Sequence, residues 1–340
     1  MLNSIVAYVS GHGFGHAARV NAVLRDLVRA EPSLRILVRT LAVPMMFDEQ
    51  FVVERAAIDV SAVETSDALS VDARATAKAY RELLTDERAI VEREADVVRQ
   101  IAADLIFADL PFLAGDIAAA AGLPCAGMGN FTWDWVLSGC GDDDLLERMR
   151  DSYRRFRVVF RLPLSHAEGW DPFPKIVDVP LVTPRSSRPR DDIRRELGLR
   201  PDARNVVLIG GRAKLSREGT DRLQALSEYT FLTAERLPVY SDLIRAADIV
   251  VSKIGYSIAA ECIAEQRSIV YPPRTGFPEE TILGSEVPKL TPALPIPHQD
   301  WAAGNWLPWL RRVEELPVPQ ARTVADGAQA VARQLLQYGR

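Results

Sequence analysis

The sequence predicts an α/β protein of two domains, each a parallel sheet flanked by helices, and three observations predict it. Short apolar runs suited to buried strands alternate with longer segments of helical period, which is how βαβ units read in sequence. The alternation breaks off in a proline-rich stretch and then restarts. The length of 340 residues suits two domains of roughly 100–200 residues each.

Taken in order, Ser4–Val9 (SIVAYV) is a strand that runs into the Gly-rich loop 11–15, and residues 17–30 are an amphipathic helix. A second strand is expected at 34–39, helical sequence at 72–103, and a strand at 105–108 that ends on Asp109-Leu110-Pro111. Residues 112–121 form a helix stopped by Gly122, and 125–128 form a strand leading into the segment 130–135. Prolines 163, 172, 174, 180, 184 and 189 then mark an interdomain segment. The pattern resumes with strands at 205–209 and 248–252, a helix at 258–266, a strand at Ser268–Tyr271 and a last helix at 325–337. Residues 283–300 read as irregular. The expected division is a first domain at 1–160, a connecting segment at 161–190, a second domain at 191–312, and a C-terminal segment at 313–340 able to pack back on the first domain.

Composition excludes several classes. The chain is 48% hydrophobic and 26% charged with a net charge of -5, an ordinary globular mixture that lacks the basic field nucleic acid binding requires. Cys125, Cys140 and Cys262 are far apart and odd in number, so neither a disulfide framework nor a zinc site is expected, and a reducing compartment is the default. No apolar run reaches the roughly 20 residues of a membrane-spanning helix. The first strand has no basic segment before it, so no secretory signal is read and a cytoplasmic location is expected.

Two loops carry the chemistry. The first is Gly11-His12-Gly13-Phe14-Gly15-His16. Glycines after a first strand let the backbone approach a ligand closely, and the following helix presents unpaired N–H groups there. Two of the four histidines of the chain fall in this loop. The stretch from Gly13 to Ala18 also fits a dinucleotide fingerprint, and Arg39 at the end of the second strand would suit NADP, although that fingerprint alone is weak. His12 and His16 have the spacing of a helical zinc pair, but the glycines between them argue against a helix and no acid lies between them, so no metal site is expected. Asp142-Asp143-Asp144 reads as an acidic helix start.

The second loop follows a strand and reads Lys253-Ile254-Gly255-Tyr256-Ser257, with Glu261 four residues further on. Gly255 permits a tight turn, Ser257 can cap the helix or bond a phosphate oxygen, and the first turn suits an anion. Glu261 shares a helix face with Ser257. A carboxylate one turn beyond a diphosphate is placed to accept the two hydroxyls of a ribose.

Gly11–Arg19 (GHGFGHAAR), Asn130–Trp135 (NFTWDW) and Ser252–Tyr256 (SKIGY) occur in this order. In these motifs the chain resembles the inverting nucleotide-sugar glycosyltransferases of the B fold (GT-B), and in particular the glycosyltransferase-like N-terminal region of plant-type L-arabinokinases. The resemblance covers residues 4 to about 282. It implies two Rossmann-like domains facing each other across a cleft, and transfer of a sugar from a nucleoside-diphosphate sugar, UDP-linked in the relatives, to an acceptor hydroxyl without a bound metal or other cofactor. His16 stands at the place of the general base and Asp109 at that of the acid that orients it. Gly13, Gly15, Gly211, Arg212, Lys253, Gly255, Tyr256, Ser257 and Glu261 would hold the donor, with Glu279 and Glu280 near the hydroxyls of its sugar. Gly210 and Lys214 flank the same loop. His12, Phe14, Asn130, Trp133 and Trp135 would line the acceptor site, although the two tryptophans equally suit a core. Two other readings share the fold. One is a nucleotide-sugar epimerase or hydrolase using Glu279, Glu280 and Asp109 as added carboxylates. The other is a nucleotide-sugar-binding protein without catalysis.

Overall fold

The computed structural model describes residues 2–11, 13–65, 69–199, 205–210, 215–236, 239–321 and 323–338. The chain divides into two compact units. One comprises residues up to Thr65, Val71–Val182 and the segment from Ala325 onward; the other comprises Thr183–Val324 with Leu69 and Ser70.

The first unit contains β1 (Ser4–Val9), α1 (Gly13–Ala30), β2 (Arg35–Thr40), β3 (Val52–Arg55), α2 (Ala73–Leu84), α3 (Glu87–Gln100), β4 (Leu105–Asp109), α4 (Leu113–Ala121), β5 (Cys125–Gly129), α5 (Trp133–Val136), α6 (Asp143–Tyr153), β6 (Val158–Arg161) and β7 (Ile176–Asp178). Its seven strands lie in the order β3-β2-β1-β4-β5-β6-β7, and every adjacent pair is parallel. All residues of β1, β4 and β5 are buried. Helices cover both faces of such a sheet, which explains why these strands are continuous apolar runs without alternation.

The second unit contains α7 (Arg190–Glu196), β8 (Val206–Ile209), α8 (Arg217–Gln224), β9 (Thr230–Thr233), α9 (Tyr240–Ala246), β10 (Ile249–Val251), α10 (Tyr256–Glu265), β11 (Ser268–Tyr271), α11 (Glu279–Glu286), β12 (Ala293–Pro295), α12 (His298–Ala303) and α13 (Leu307–Glu314). Its strand order is β12-β11-β10-β8-β9, again parallel throughout. Its core includes Val207, Val251 and Val270 from the sheet together with Trp301 and Trp306. The two indoles stack at 5.3 Å between centroids. Burying one such side chain contributes roughly 1.5–3 kcal/mol.

The topology puts a switch point on each unit. In the first sheet the chain leaves β1 toward β2 and β3, then crosses back to β4 and continues outward through β7. The crevice between the carboxyl ends of β1 and β4 is therefore a switch point, where ligands of open parallel sheets bind. The second sheet turns the same way between β8 and β10.

Several expected boundaries differ. Helix α1 starts at Gly13, not at residue 17, so the Gly-rich loop supplies its first turn. Gly13 enters it at φ +73°, a backbone conformation that a side chain disfavours. The expected helical stretch 72–103 is two helices, each preceded by an aspartate; Asp72 caps the first by accepting from the Ala75 N–H. Residues 161–190 do not form a separate segment: β7 pairs with β6 inside the first sheet, and the units divide between Val182 and Thr183. Residues 283–300, read as irregular, hold the end of α11, strand β12 and the start of α12. The C-terminal segment divides too. Residues up to Val324 stay with the second unit, and helix α14 (Gly327–Gln337) packs on α1. Among the described residues no helix is long and apolar enough to cross a membrane.

Candidate functional site

In the first unit, β1 delivers the chain to the switch point and α1 places His16 and Arg19 one turn apart on its inner face. Both are buried, at 8% and 3% exposure. Asp109, the last residue of β4, meets them. His16 Nδ1 lies 2.8 Å from Asp109 Oδ2. Arg19 donates from Nη2 to Asp109 Oδ1 at 2.7 Å and from Nε to both carboxylate oxygens at 3.2 Å. Burial works to raise the pKa of Asp109, but the charge of Arg19, then that of His16, and their hydrogen bonds outweigh it and hold the carboxyl below its ordinary range. An ionised carboxylate only accepts, so in this contact Nδ1 carries the hydrogen and Nε2 is the basic nitrogen. Arg19 Nη2 also approaches His16 Nδ1 at 3.0 Å, but its shorter contact is with Asp109.

Arg19 completes the cluster by donating from Nη1 to Asn130 Oδ1 at 2.8 Å. Asn130 follows β5, so three adjacent strands feed one hydrogen-bonded group. Phe131 closes one side of His16, edge to face at 6.0 Å between ring centroids. Trp133 is 1% exposed and packs edge-on against Tyr80 and Phe131, each at 5.6 Å, so it belongs to the interior. Trp135 stacks on His166 at 4.3 Å, and His166 in turn stacks on Trp170 at 4.8 Å. Phe14 projects into solvent at 53% exposure.

In the second unit, β8 ends at Gly210, where an added Cβ would lie 2.3 Å from the Cβ and Oγ of Ser252. Only glycine allows the exits of β8 and β10 to approach so closely. After β10, Gly255 is the N-cap of α10 and offers no side-chain bond, so Ser257 sits inside the first turn and does not cap the helix. Lys253 is half-buried; Tyr256, Ser257 and Glu261 are buried. Glu261 is 4% exposed, and its Oε2 has no hydrogen-bond partner among the described residues. Burial, with a smaller contribution from Glu265, pushes its pKa up to about 8. Glu279 and Glu280 begin α11. Glu279 is buried, and burial pushes Glu280 up to about 7.

His12, Gly211, Arg212 and Lys214 lie outside the described residues. Among the described residues no group of three or more His, Cys, Asp and Glu side chains is arranged to hold a metal ion. Asp142 accepts from the Leu145 N–H as the cap of α6 and pairs with Arg81. Arg39, on which an NADP reading would rest, is buried and already bonded to Glu94 and Glu54.

Two buried charged residues were not singled out by sequence reading, and one of them, Arg19, belongs to the first site. Arg19 had a signal, since it closes the GHGFGHAAR motif one helical turn after His16. Asp59 had none: it lies in the irregular segment after β3. It is 8% exposed and accepts from the Tyr80 hydroxyl at 2.6 Å.

No protein-family model matches the chain. Over 340 aligned residues it is 28% identical to the L-arabinokinase of Arabidopsis thaliana, covering 91% of this chain and 32% of that protein. The chain thus spans about a third of the length of this relative. Among solved structures it resembles a UDP-glucosyltransferase from Polygonum tinctorium, with a TM-score of 0.62, 12% identity and coverage of 100% of this chain and 93% of that one. It also resembles the glycosyltransferase SnogD from Streptomyces nogalater, with a TM-score of 0.55, 14% identity and full coverage of both chains. The chain therefore has the GT-B fold of these glycosyltransferases.

Proposed function

We propose that the chain is a glycosyltransferase that moves a sugar from a nucleoside-diphosphate sugar, UDP-linked by preference, to an acceptor hydroxyl with inversion at the anomeric carbon. The observation that carries this reading is the buried His16–Asp109–Arg19 cluster at the switch point of the first sheet. A titratable base held in one tautomer by an ionised carboxylate is what deprotonation of a hydroxyl needs. The second switch point supports the other half of the reaction. Helix α10 begins there, a helix N-terminus favours an anion such as a diphosphate, and Glu261 follows one turn after Ser257.

In the proposed step the acceptor O–H gives its proton to His16 Nε2 as its oxygen attacks the anomeric carbon. The bond from that carbon to the phosphate oxygen breaks, and its electron pair leaves with the nucleoside diphosphate. Asp109 holds the imidazole through Nδ1. The N-terminus of α10 and Lys253 offset the charge that develops on the leaving group, so the step calls for no bound metal. Glu261 accepts the ribose hydroxyls, and Glu279 and Glu280 serve the donor sugar. Similarity to a UDP-glucosyltransferase supports uridine as the base, and similarity to an arabinokinase supports a sugar-handling role.

A thermal-shift screen against nucleoside diphosphates and nucleotide sugars, with NADP as control, tests the donor half. A ligand that prefers the folded state at 100 times its Kd stabilises it by about 2.7 kcal/mol. The expected result is a rise in Tm with a uridine diphosphate that is lost in Glu261→Ala. No shift with any nucleotide at millimolar concentration contradicts the reading.

A further inference from the structure

Three aromatic rings lie parallel beside α5. His166 stacks on Trp135 with 4.3 Å between centroids and 8° between planes, and on Trp170 at 4.8 Å and 12°. The imidazole is 4% exposed, Trp170 is buried and Trp135 is half-buried. His166 Nδ1 bonds the Glu168 carbonyl. A carbonyl only accepts, so Nδ1 carries the hydrogen and Nε2 is the nitrogen that takes up a proton. Nε2 is buried and has no hydrogen-bond partner among the described residues.

The stack is the main fastening of its segment. Residues 165–169 form no backbone–backbone hydrogen bond among the described residues. What ties them is the stacking, the Nδ1 bond to Glu168, and the Trp170 Nε1–H, which donates to the His166 carbonyl at 3.0 Å. Ser165, His166 and Ala167 border a cavity of about 500 Å³ that Arg161, Leu162 and Asp178 also line, so the segment has room to move.

The charged groups nearby are already engaged. Helix α5 brings Asp134, whose Oδ2 accepts from Arg150 of α6 at 2.9 Å. Strand β6 brings Arg161, which donates to Asp178 of β7 at 2.6 and 3.0 Å. The segment and its continuation add Glu168 and Asp171. None of these groups bonds Nε2. Two indole faces attract a cation, but a sealed imidazolium would lose its water and leave the Nε2 hydrogen without an acceptor, which costs more than the faces return. Burial accordingly holds the pKa of His166 below its ordinary value, against smaller raising effects of the Glu168 carbonyl and of Asp134.

We propose that residues 165–170 form a pH-dependent latch on α5, closed while the His166 imidazole is neutral between the two indoles and opened when Nε2 takes up a proton. A hydrated histidine titrates near about 6.5. The closed form binds less proton than the open one, so closure is fully favoured above about pH 6.5 and weakens below it, by up to about tenfold in the closed-to-open ratio per pH unit. Opening uncovers a face of Trp135, in the segment that also carries Asn130 of the first site. The proposal stands whether or not the chain transfers sugar.

Exchange of the Trp170 indole N–H with solvent deuterium tests it, because that hydrogen is buried on the His166 carbonyl. It is followed by NMR in the full chain, with the signal assigned by its loss in Trp170→Phe. His166→Phe keeps three rings but cannot take up a proton. The ratio of exchange rates, wild type over His166→Phe, therefore cancels the intrinsic pH dependence of indole exchange. That ratio is expected to rise at least about tenfold from about pH 7.5 to about pH 5. A ratio that stays constant overturns the proposal. So does an equal rise at the indole N–H of Trp133, 1% exposed in the same unit, because it marks unfolding of the whole unit. If His166→Phe does not fold, the wild type decides by itself. Its His166 Cε1–H signal, identified by through-space coupling to the Trp170 ring, is expected to titrate below about pH 6.5, and a midpoint at or above that value overturns the latch.

Discussion

Asp109 orients His16 and neutralises Arg19 at once, and each task depends on burial. At 1% exposure its bonds to Arg19 and His16 face little competition from water, and removing either partner would strand a charge in the interior. Glu261 is the opposite case, a buried carboxyl with no cation bonded to it among the described residues. Its pKa of about 8 lies above the ordinary value of about 4.3, so the folded state keeps a proton that the unfolded chain releases. The sign follows: the contribution of Glu261 to stability is fully present below about pH 4 and is lost as pH rises toward about 8. Glu261→Gln is therefore expected to gain on the wild type as pH rises from about 5 to about 8, by a few kcal/mol at most, since each pKa unit corresponds to about 1.4 kcal/mol. Urea unfolding of both proteins at several pH values measures it, and parallel stability–pH curves contradict it. The residues that sequence reading found here, His16, Asp109 and Glu261, are those next to a glycine turn or a strand end. Asp59 was not legible because its burial and its bond to Tyr80 arise from the tertiary packing of the segment after β3 on α2.

At the scale of elements, the strands of the sheet interiors were readable and the edges were not. Ser4–Val9 and Ser268–Tyr271 match the expected bounds because burial on both faces demands an unbroken apolar run. Strand β7 is an edge strand of three residues within a proline-rich stretch, and none of its residues is fully buried, so no apolar run betrays it. Helix α1 was expected to begin at residue 17 because glycine disfavours helix interiors, but a first turn tolerates it where the chain must enter at positive φ, as at Gly13. The closest strand exits lead to a prediction at this scale. Gly210→Ala puts a methyl group 2.3 Å from Ser252, and since the contact includes the Ser252 Cβ, the strand ends themselves must shift. The expected cost is about 1–3 kcal/mol, read as a lower urea midpoint. An unchanged midpoint contradicts the close packing of β8 on β10.

For the whole molecule, the alternation of strands and helices and its restart foretold two parallel α/β units, while the strand orders that create the switch points were not legible, because they depend on which crossover each helix makes. Both orders put the residues singled out by motif at the carboxyl ends of central strands: His16 and Asp109 in one unit, and Gly210 and Gly255 in the other. That convergence argues for function, because a motif retained only as a turn has no reason to fall at a switch point. The chain spans about a third of its arabinokinase relative, so the name of that protein does not by itself transfer a kinase reaction to this chain. The central claim is tested most directly by measuring acceptor-dependent release of nucleoside diphosphate from a panel of UDP-sugars, comparing the wild type with His16→Ala. The account predicts glycoside and UDP formed in equal amounts, only when acceptor is present, with a loss of about 100-fold or more in the variant. Donor consumed equally fast without acceptor, or transfer undiminished in His16→Ala, would contradict it.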